Sequence, residues 1–150
     1  MQKIPIYYED MKVGNKIYLG PITVTKSDII SFAKSFDPQY FHLDEEKAKS
    51  SILKGLCASG WHTCALFMRI LYDGLLKTAK SQGSPGVDNI RWIQPVRPND
   101  VLNAIGTITE KIPSKSKPSI GVIKTKYEVF NQTNQTVMTL ITIGIFEKKK

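Results

Sequence analysis

A chain of 150 residues, 41% hydrophobic and 23% charged, has the make-up of a folded unit with one hydrophobic core, which excludes a disordered or collagen-like polymer. Lys and Arg outnumber Asp and Glu by 21 to 13, a formal charge of +8. Such a balance suits polyanionic partners such as nucleic acid, anionic membranes or phosphorylated cofactors, but a solvated Lys-rich surface gives the same count.

The stretch from Asn15 to Val24 reads as a strand carrying Ile17, Leu19, Ile22 and Val24, interrupted at Gly20-Pro21. Thr25 stands three residues ahead of Asp28, a variant capping box that opens a helix. Ile29, Ala33 and Phe36 form its apolar face, with Ile30 alongside. Asp37-Pro38 ends it, because the residue before proline is pushed out of the α region. A short second helix starts at Asp44 and is finished by Ser50 or Ser51, with Glu45 and Glu46 complementing its dipole. The third helix is long, from near Gly60 to about Lys80. Trp61, Ala65, Met68, Leu71, Leu75 and Ala79 follow helical spacing, and Leu66, Phe67 and Ile70 widen the apolar surface. His62, Arg69, Asp73 and Lys80 fall on one narrow polar face, so His62 is expected at the surface or in a cap. A helix this apolar is expected to be largely enclosed by other structure.

The second half reads as strands: Val87–Val96, Val101–Glu110 after the turn Pro98-Asn99-Asp100, Ile120–Phe130 and Gln135–Phe146. The polar loop Asn131–Asn134 joins the last two as a hairpin. The stretches GSPG (83–86) and KIPSKSKP (111–118) read as loops, and Lys148–Lys150 as a frayed tail. The last strand is apolar on both parities, which places it mid-sheet or at an oligomer interface. Trp61 and Trp92 are expected in the core. The sum is an α+β fold, a long helix against a curved antiparallel sheet, as a single domain over residues 1–150. The sheet's other face meets solvent or a partner, and a homodimer is expected.

Two cysteines, Cys57 and Cys64, cannot build a disulfide framework and are expected as buried free thiols. Two histidines without a Cys/His cluster at ligand spacing give no expectation of a metal site. No apolar run reaches ~18 residues, and the opening MQKIPIYYEDM lacks the apolar segment of a secretory leader, so a cytoplasmic location is expected.

The stretch Phe32 to Ala48, FAKSFDPQYFHLDEEKA, carries the chemistry. Asp37 and His42 stand five apart in the connection between two helices, and a bend there brings both side chains to one point that Phe36 and Phe41 can keep dry. A carboxylate beside an imidazole fixes the ring's tautomer, and the pair can hold one water between them. Ser59 is a candidate N-cap of the long helix and a candidate pocket residue. A Ser59-centred triad lacks the G-x-S-x-G turn that would expose its hydroxyl. Lys54, Arg91 and Arg97 are candidate anchors for cofactor phosphates.

The blocks F-D-P-Q-Y-F-H-L-D-E-E-x-A, then G-L-C-A-S-G ahead of the long helix, then N-I-R-W-I-Q-P-V-R-P-N-D-V-L, together resemble the MaoC-like dehydratase family over about residues 10–147. That family includes (R)-specific enoyl-CoA hydratases of hot-dog fold. The resemblance implies a sheet wrapped around the helix from Gly60. It implies that Asp37 and His42 activate a water that adds reversibly across the double bond of a trans-2-enoyl thioester. It implies that the thioester oxygen meets a backbone N–H near Gly60, where the first amides of a helix are unpaired and partly positive. No permanently bound cofactor is implied, since the substrate arrives as a thioester of CoA or acyl carrier protein. The implied partners are that substrate and a second copy of the chain, with no nucleic acid and no membrane. Phe36, Gln39 and Tyr40 stand where the hydratases usually carry Gly, Asn and Pro. Gln39 still offers an amide; Tyr40 adds bulk near the site. Those replacements keep two alternatives open, a non-catalytic thioester-binding subunit and an acyl-CoA thioesterase on the same fold.

Overall fold

The computed structural model describes residues 4–150, so the first three residues of the N-terminal stretch lie outside it. Five strands form one antiparallel sheet: β1 (Lys16–Thr23), β2 (Gly86–Trp92), β3 (Val101–Pro113), β4 (Ile120–Phe130) and β5 (Thr136–Glu147), in the order β1-β3-β4-β5-β2. β3 and β4 alternate strictly, Leu102, Ala104, Gly106 and Ile108 pointing inward beside Ile123, Thr125, Tyr127 and Val129. That period of two is what a sheet with one buried face requires. Register lines the core up across the strands: Leu19 pairs with Ala104, Ala104 with Val129, and Val129 with Met138. β5 lies inside the sheet, between β4 and β2.

Helix α4 (Gly60–Leu71) packs on the inner face through Phe67, Ile70 and Leu71. Phe67 meets Tyr127 edge to face at 4.9 Å, and burial pushes the Tyr127 phenol pKa well up. The long helix stops short of Lys80: after Leu71 the chain widens into a π-turn, Tyr72–Leu76, with Gly74 against Leu19 of β1. Helix α1 (Lys26–Phe36) starts where Thr25 Oγ1 accepts the Asp28 N–H at 3.0 Å. It ends at Asp37, as the following proline dictates. A single turn, α2 (Tyr40–Leu43), was not foreseen; the short α3 (Glu45–Ala48) follows, its N-terminus capped by Asp44, whose Oδ1 accepts the Lys47 N–H at 3.0 Å.

Several expectations need correction. Strand β2 ends at Trp92 rather than Val96, because the next two N–H groups, of Ile93 and Gln94, both turn to the Val137 carbonyl and break the one-to-one ladder. β3 runs on to Pro113, which shortens the 111–118 loop. The tail is tied down: Lys148 N–H donates to Ser119 O at 2.8 Å, Lys149 N–H donates to the Glu9 carboxylate at 3.0 Å, and the Lys149 ammonium pairs with Asp10. Trp61 and Trp92 are not core; they are 61% and 48% exposed and lie edge to face on one another. His62, by contrast, is buried and stacks flat on Phe32 at 4.7 Å. The helical wheel gives direction, not axial reach. α1 covers the first turn of α4, where His62 sits. Arg69, two turns on, lies beyond that cover and pairs with Asp73. Phe36 is 75% exposed, so it shelters nothing. Cys57 is buried and Cys64 half-buried, both free. Among the described residues no helix is long and apolar enough to cross a membrane.

Candidate active site

Three segments converge at one end of the sheet. The first is the α1–α2 connection, where Asp37 ends α1 and the Gln39 carbonyl accepts the His42 N–H at 2.9 Å, starting the single turn that carries the ring. The second is 56–59, held in place by Cys57 N–H to Phe41 O at 3.2 Å and Ala58 N–H to Val96 O at 2.9 Å. The third is 93–100. Its turn is fastened by Arg97 N–H to Asp100 Oδ2 at 2.8 Å and by Gln132 Nε2 to Asp100 Oδ1 at 3.0 Å.

The convergence brings His42 Nε2 within 3.3 Å of Asp37 Oδ2. His42 Nδ1 lies 2.6 Å from the Cys57 carbonyl. A carbonyl only accepts, so Nδ1 carries a proton, and Nε2 is the ring nitrogen that faces Asp37. The carboxylate is itself loaded with donors: Ser59 O–H donates to Oδ2 at 2.6 Å and Gln39 Nε2 donates to Oδ1 at 2.8 Å. Burial acts to raise the Asp37 pKa, but those two hydrogen bonds, with His42, outweigh it and hold the group below the ordinary carboxylate range. Burial also pushes the Cys57 thiol up, which leaves its sulfur inert beside His42.

His42 lines a cavity of about 260 Å³ with Phe41, Leu53, Cys57, Gly60, Thr63 and Trp92. Asp37 is not in its wall. Gly60 opens α4, so its N–H has no partner within the helix. Its missing side chain is a necessity: a Cβ there would lie 2.4 Å from Trp92 Cε2. The expected approach of an acyl chain to that face is thus taken by the indole.

The remaining expected residues fall as follows. Ser59 precedes α4, but its hydroxyl makes no cap; it is committed to Asp37. Tyr40 is 47% exposed and leans on Phe41 at 5.1 Å rather than filling the site. Arg97 is not a free cation: its guanidinium donates to the carbonyls of Gly55 at 2.8 Å, Leu56 at 3.3 Å and also Leu53. Lys54 sits exposed at a positive φ of 58°, in the loop that Arg97 holds. Arg91 is exposed on β2, and nothing brings it to the dyad. Two contributors had no sequence signal or a misread one. The Cys57 carbonyl that fixes the ring is backbone, and Trp92 is the indole that walls Gly60.

A curled antiparallel sheet closed over one central helix is the hot-dog fold, and here a paired carboxylate and imidazole stand where that helix begins. The family model for the MaoC like domain matches residues 10–131, and the chain belongs to the MaoC-like dehydratase family. It is 30% identical over 125 residues to protein YdeM of Bacillus subtilis (strain 168), covering 83% of this chain and 86% of that one. It is 29% identical over 115 residues to an (R)-specific enoyl-CoA hydratase of Rhodospirillum rubrum, covering 73% of this chain and 74% of that one. Among solved structures, a MaoC-like dehydratase from Rhodospirillum rubrum superposes with a TM-score of 0.89 at 35% identity, covering 97% of this chain and 99% of that one.

Proposed function

We propose that the protein hydrates trans-2-enoyl thioesters to 3-hydroxyacyl thioesters, and runs the reverse dehydration, with Asp37 and His42 as the water-activating pair. The observation that carries this reading is the approach of His42 Nε2 to Asp37 Oδ2, 3.3 Å apart, where the long helix begins. A carboxylate and an imidazole that meet at one point can hold a water there and take its proton. The similarity to an (R)-specific hydratase supports the same reading.

The division of labour follows from basicity. An imidazole ordinarily titrates near ~6.5 and a carboxylate near ~3.9. Asp37 is held lower still by its donors, which suits it to orient the water rather than to take a proton from it. His42 Nε2 takes the proton. Water's pKa of 15.7 lies about 9 units above imidazole's, so deprotonation in advance would cost about 12 kcal/mol. The proton therefore leaves as oxygen bonds to the β-carbon, in general-base fashion. Electron density moves to the thioester oxygen, the Gly60 amide stabilises it there, and a proton returned to the α-carbon closes the balance.

No resident cofactor enters this chemistry. Whether the thioester is on CoA or on acyl carrier protein, the reacting atoms are the same. We also propose that the working form is a homodimer built on the free edge of β2. β1, at the opposite edge, is blunted by Lys16 and Pro21, but β2 ends in Trp92, followed by Ile93, 48% and 51% exposed, beside Trp61 at 61%.

Loss of the conjugated-thioester absorbance of crotonyl-CoA tests the reaction. Wild type is expected to turn it over, with Asp37→Asn and His42→Ala slower by roughly 10²–10⁴-fold, the usual worth of general acid–base catalysis. Equal rates in all three would overturn the assignment. Release of free thiol would identify a thioesterase instead.

A further inference from the structure

Two cavities meet the first half of α4. The smaller, about 260 Å³, has His42 and Gly60 in its wall. The larger, about 360 Å³, lies between α4 and the sheet, with Trp61, Cys64, Met68, Leu140 and Phe146 in its lining and no carboxylate, imidazole or ammonium. Trp92 borders the smaller cavity and touches a wall residue of the larger. It lines the smaller cavity, and its ring presses on Gly60 so closely that a Cβ would come within 2.4 Å. The ring also meets Trp61 edge to face at 5.4 Å, and Trp61 lines the larger cavity.

We propose that Trp92 is the partition between the two spaces and the residue that limits acyl-chain length. The proposal rests on the thioester reading of the dyad. The smaller cavity by itself falls below the ~300 Å³ at which drug-sized ligand pockets begin, so it takes the reacting end and a short acyl group. A longer chain continues only past the indole, into a space whose walls are nearly all apolar and where each buried methylene is favourable. Gly60 and Trp92 are thus a matched pair. The glycine supplies the helix-start amide, and the indole that its bare Cα admits closes the route behind it.

The test compares crotonyl-CoA with octenoyl-CoA as substrates. In parallel, butanoyl-CoA and octanoyl-CoA, which cannot be hydrated, are measured as ligands by calorimetry. In wild type the short member of each pair is expected to be preferred. Trp92→Ala is expected to raise the long-over-short ratio of kcat/KM, and of affinity, by about tenfold or more, the discrimination one methylene commands in an apolar pocket. Trp92→Leu keeps an apolar contact on Gly60 and guards against a folding failure; it is expected to shift the ratio the same way, by less. Met68→Trp in the Trp92→Ala background refills the larger cavity and is expected to restore the short-chain preference. Unchanged ratios in both readouts overturn the partition. A shifted binding ratio without hydration by any form would overturn the hydratase reading and uphold the partition.

Discussion

Ser59 shows how much one hydroxyl can do at a site of this kind. Its O–H donates to Asp37 Oδ2 at 2.6 Å and helps hold the carboxyl pKa down against burial, which alone would raise it. Ser59→Ala removes that donor, so the Asp37 pKa is expected to rise. The Asp37 carboxyl should then titrate at higher pH when followed by NMR, with a lower kcat for hydration at the plateau. The same lowered pKa links to stability with a definite sign. A carboxyl depressed in the folded state contributes stability that is present above the unfolded value, about 3.9, and is lost as pH falls through the folded value. The gap in urea midpoint between wild type and Ser59→Ala should therefore be widest near neutrality and close in acid. A gap independent of pH would mean that the hydroxyl contributes only packing.

Among the elements, the 53–59 segment has the least regular structure and the most precise task. It delivers the Cys57 carbonyl to His42 and Ser59 to Asp37. What fixes it is Arg97, whose guanidinium donates to the Gly55 and Leu56 carbonyls and to Leu53. Lysine lacks the planar fork that spans several acceptors. Arg97→Lys is expected to cost roughly 2–3 kcal/mol in urea denaturation, the range for charge-assisted hydrogen bonds. With the guanidinium acting as a brace, the variant should change KM for crotonyl-CoA and crotonyl-pantetheine by the same factor. A rise for the CoA substrate alone would return it to the phosphate. Helix α1 is a simpler case. Thr25 caps it at 3.0 Å, and Thr25→Ala should cost about 1 kcal/mol by the same measurement.

At the scale of the whole molecule, the uneven exposure of apolar side chains carries the expectation. Trp61, Trp92, Ile93 and Val87 are all exposed, and the last three lie on or just beyond the β2 edge. An open strand edge beside large exposed apolar groups is a surface that needs cover. Sedimentation should show a dimer, and Val87→Lys, which puts a charge on that edge, should shift it toward monomer. A wild-type monomer at micromolar concentration would remove the dimer from the account. The basic surface belongs to this scale too. Lys111 lies over Tyr8 at 4.3 Å with Lys148 near the same ring at 5.4 Å, which shows part of the excess cationic charge employed in packing rather than offered to a polyanion.

Local chemistry was legible from the residues alone. Thr25 ahead of Asp28, proline after Asp37 and acids behind Asp44 each act within a few residues, so the chain determined those elements and the Asp37/His42 bend by itself. Other decisions depend on what lies across the fold. Whether His62 is covered depends on how far α1 reaches along α4. Whether Arg97 is a free cation depends on which carbonyls stand in front of it, and whether Gly60 faces an acyl chain or Trp92 depends on where β2 ends. Spacing along a sequence sets direction about an axis. Only tertiary packing sets what stands there to be met, and for that reason the paired carboxylate and imidazole belonged to the sequence while the wall around them belonged to the structure.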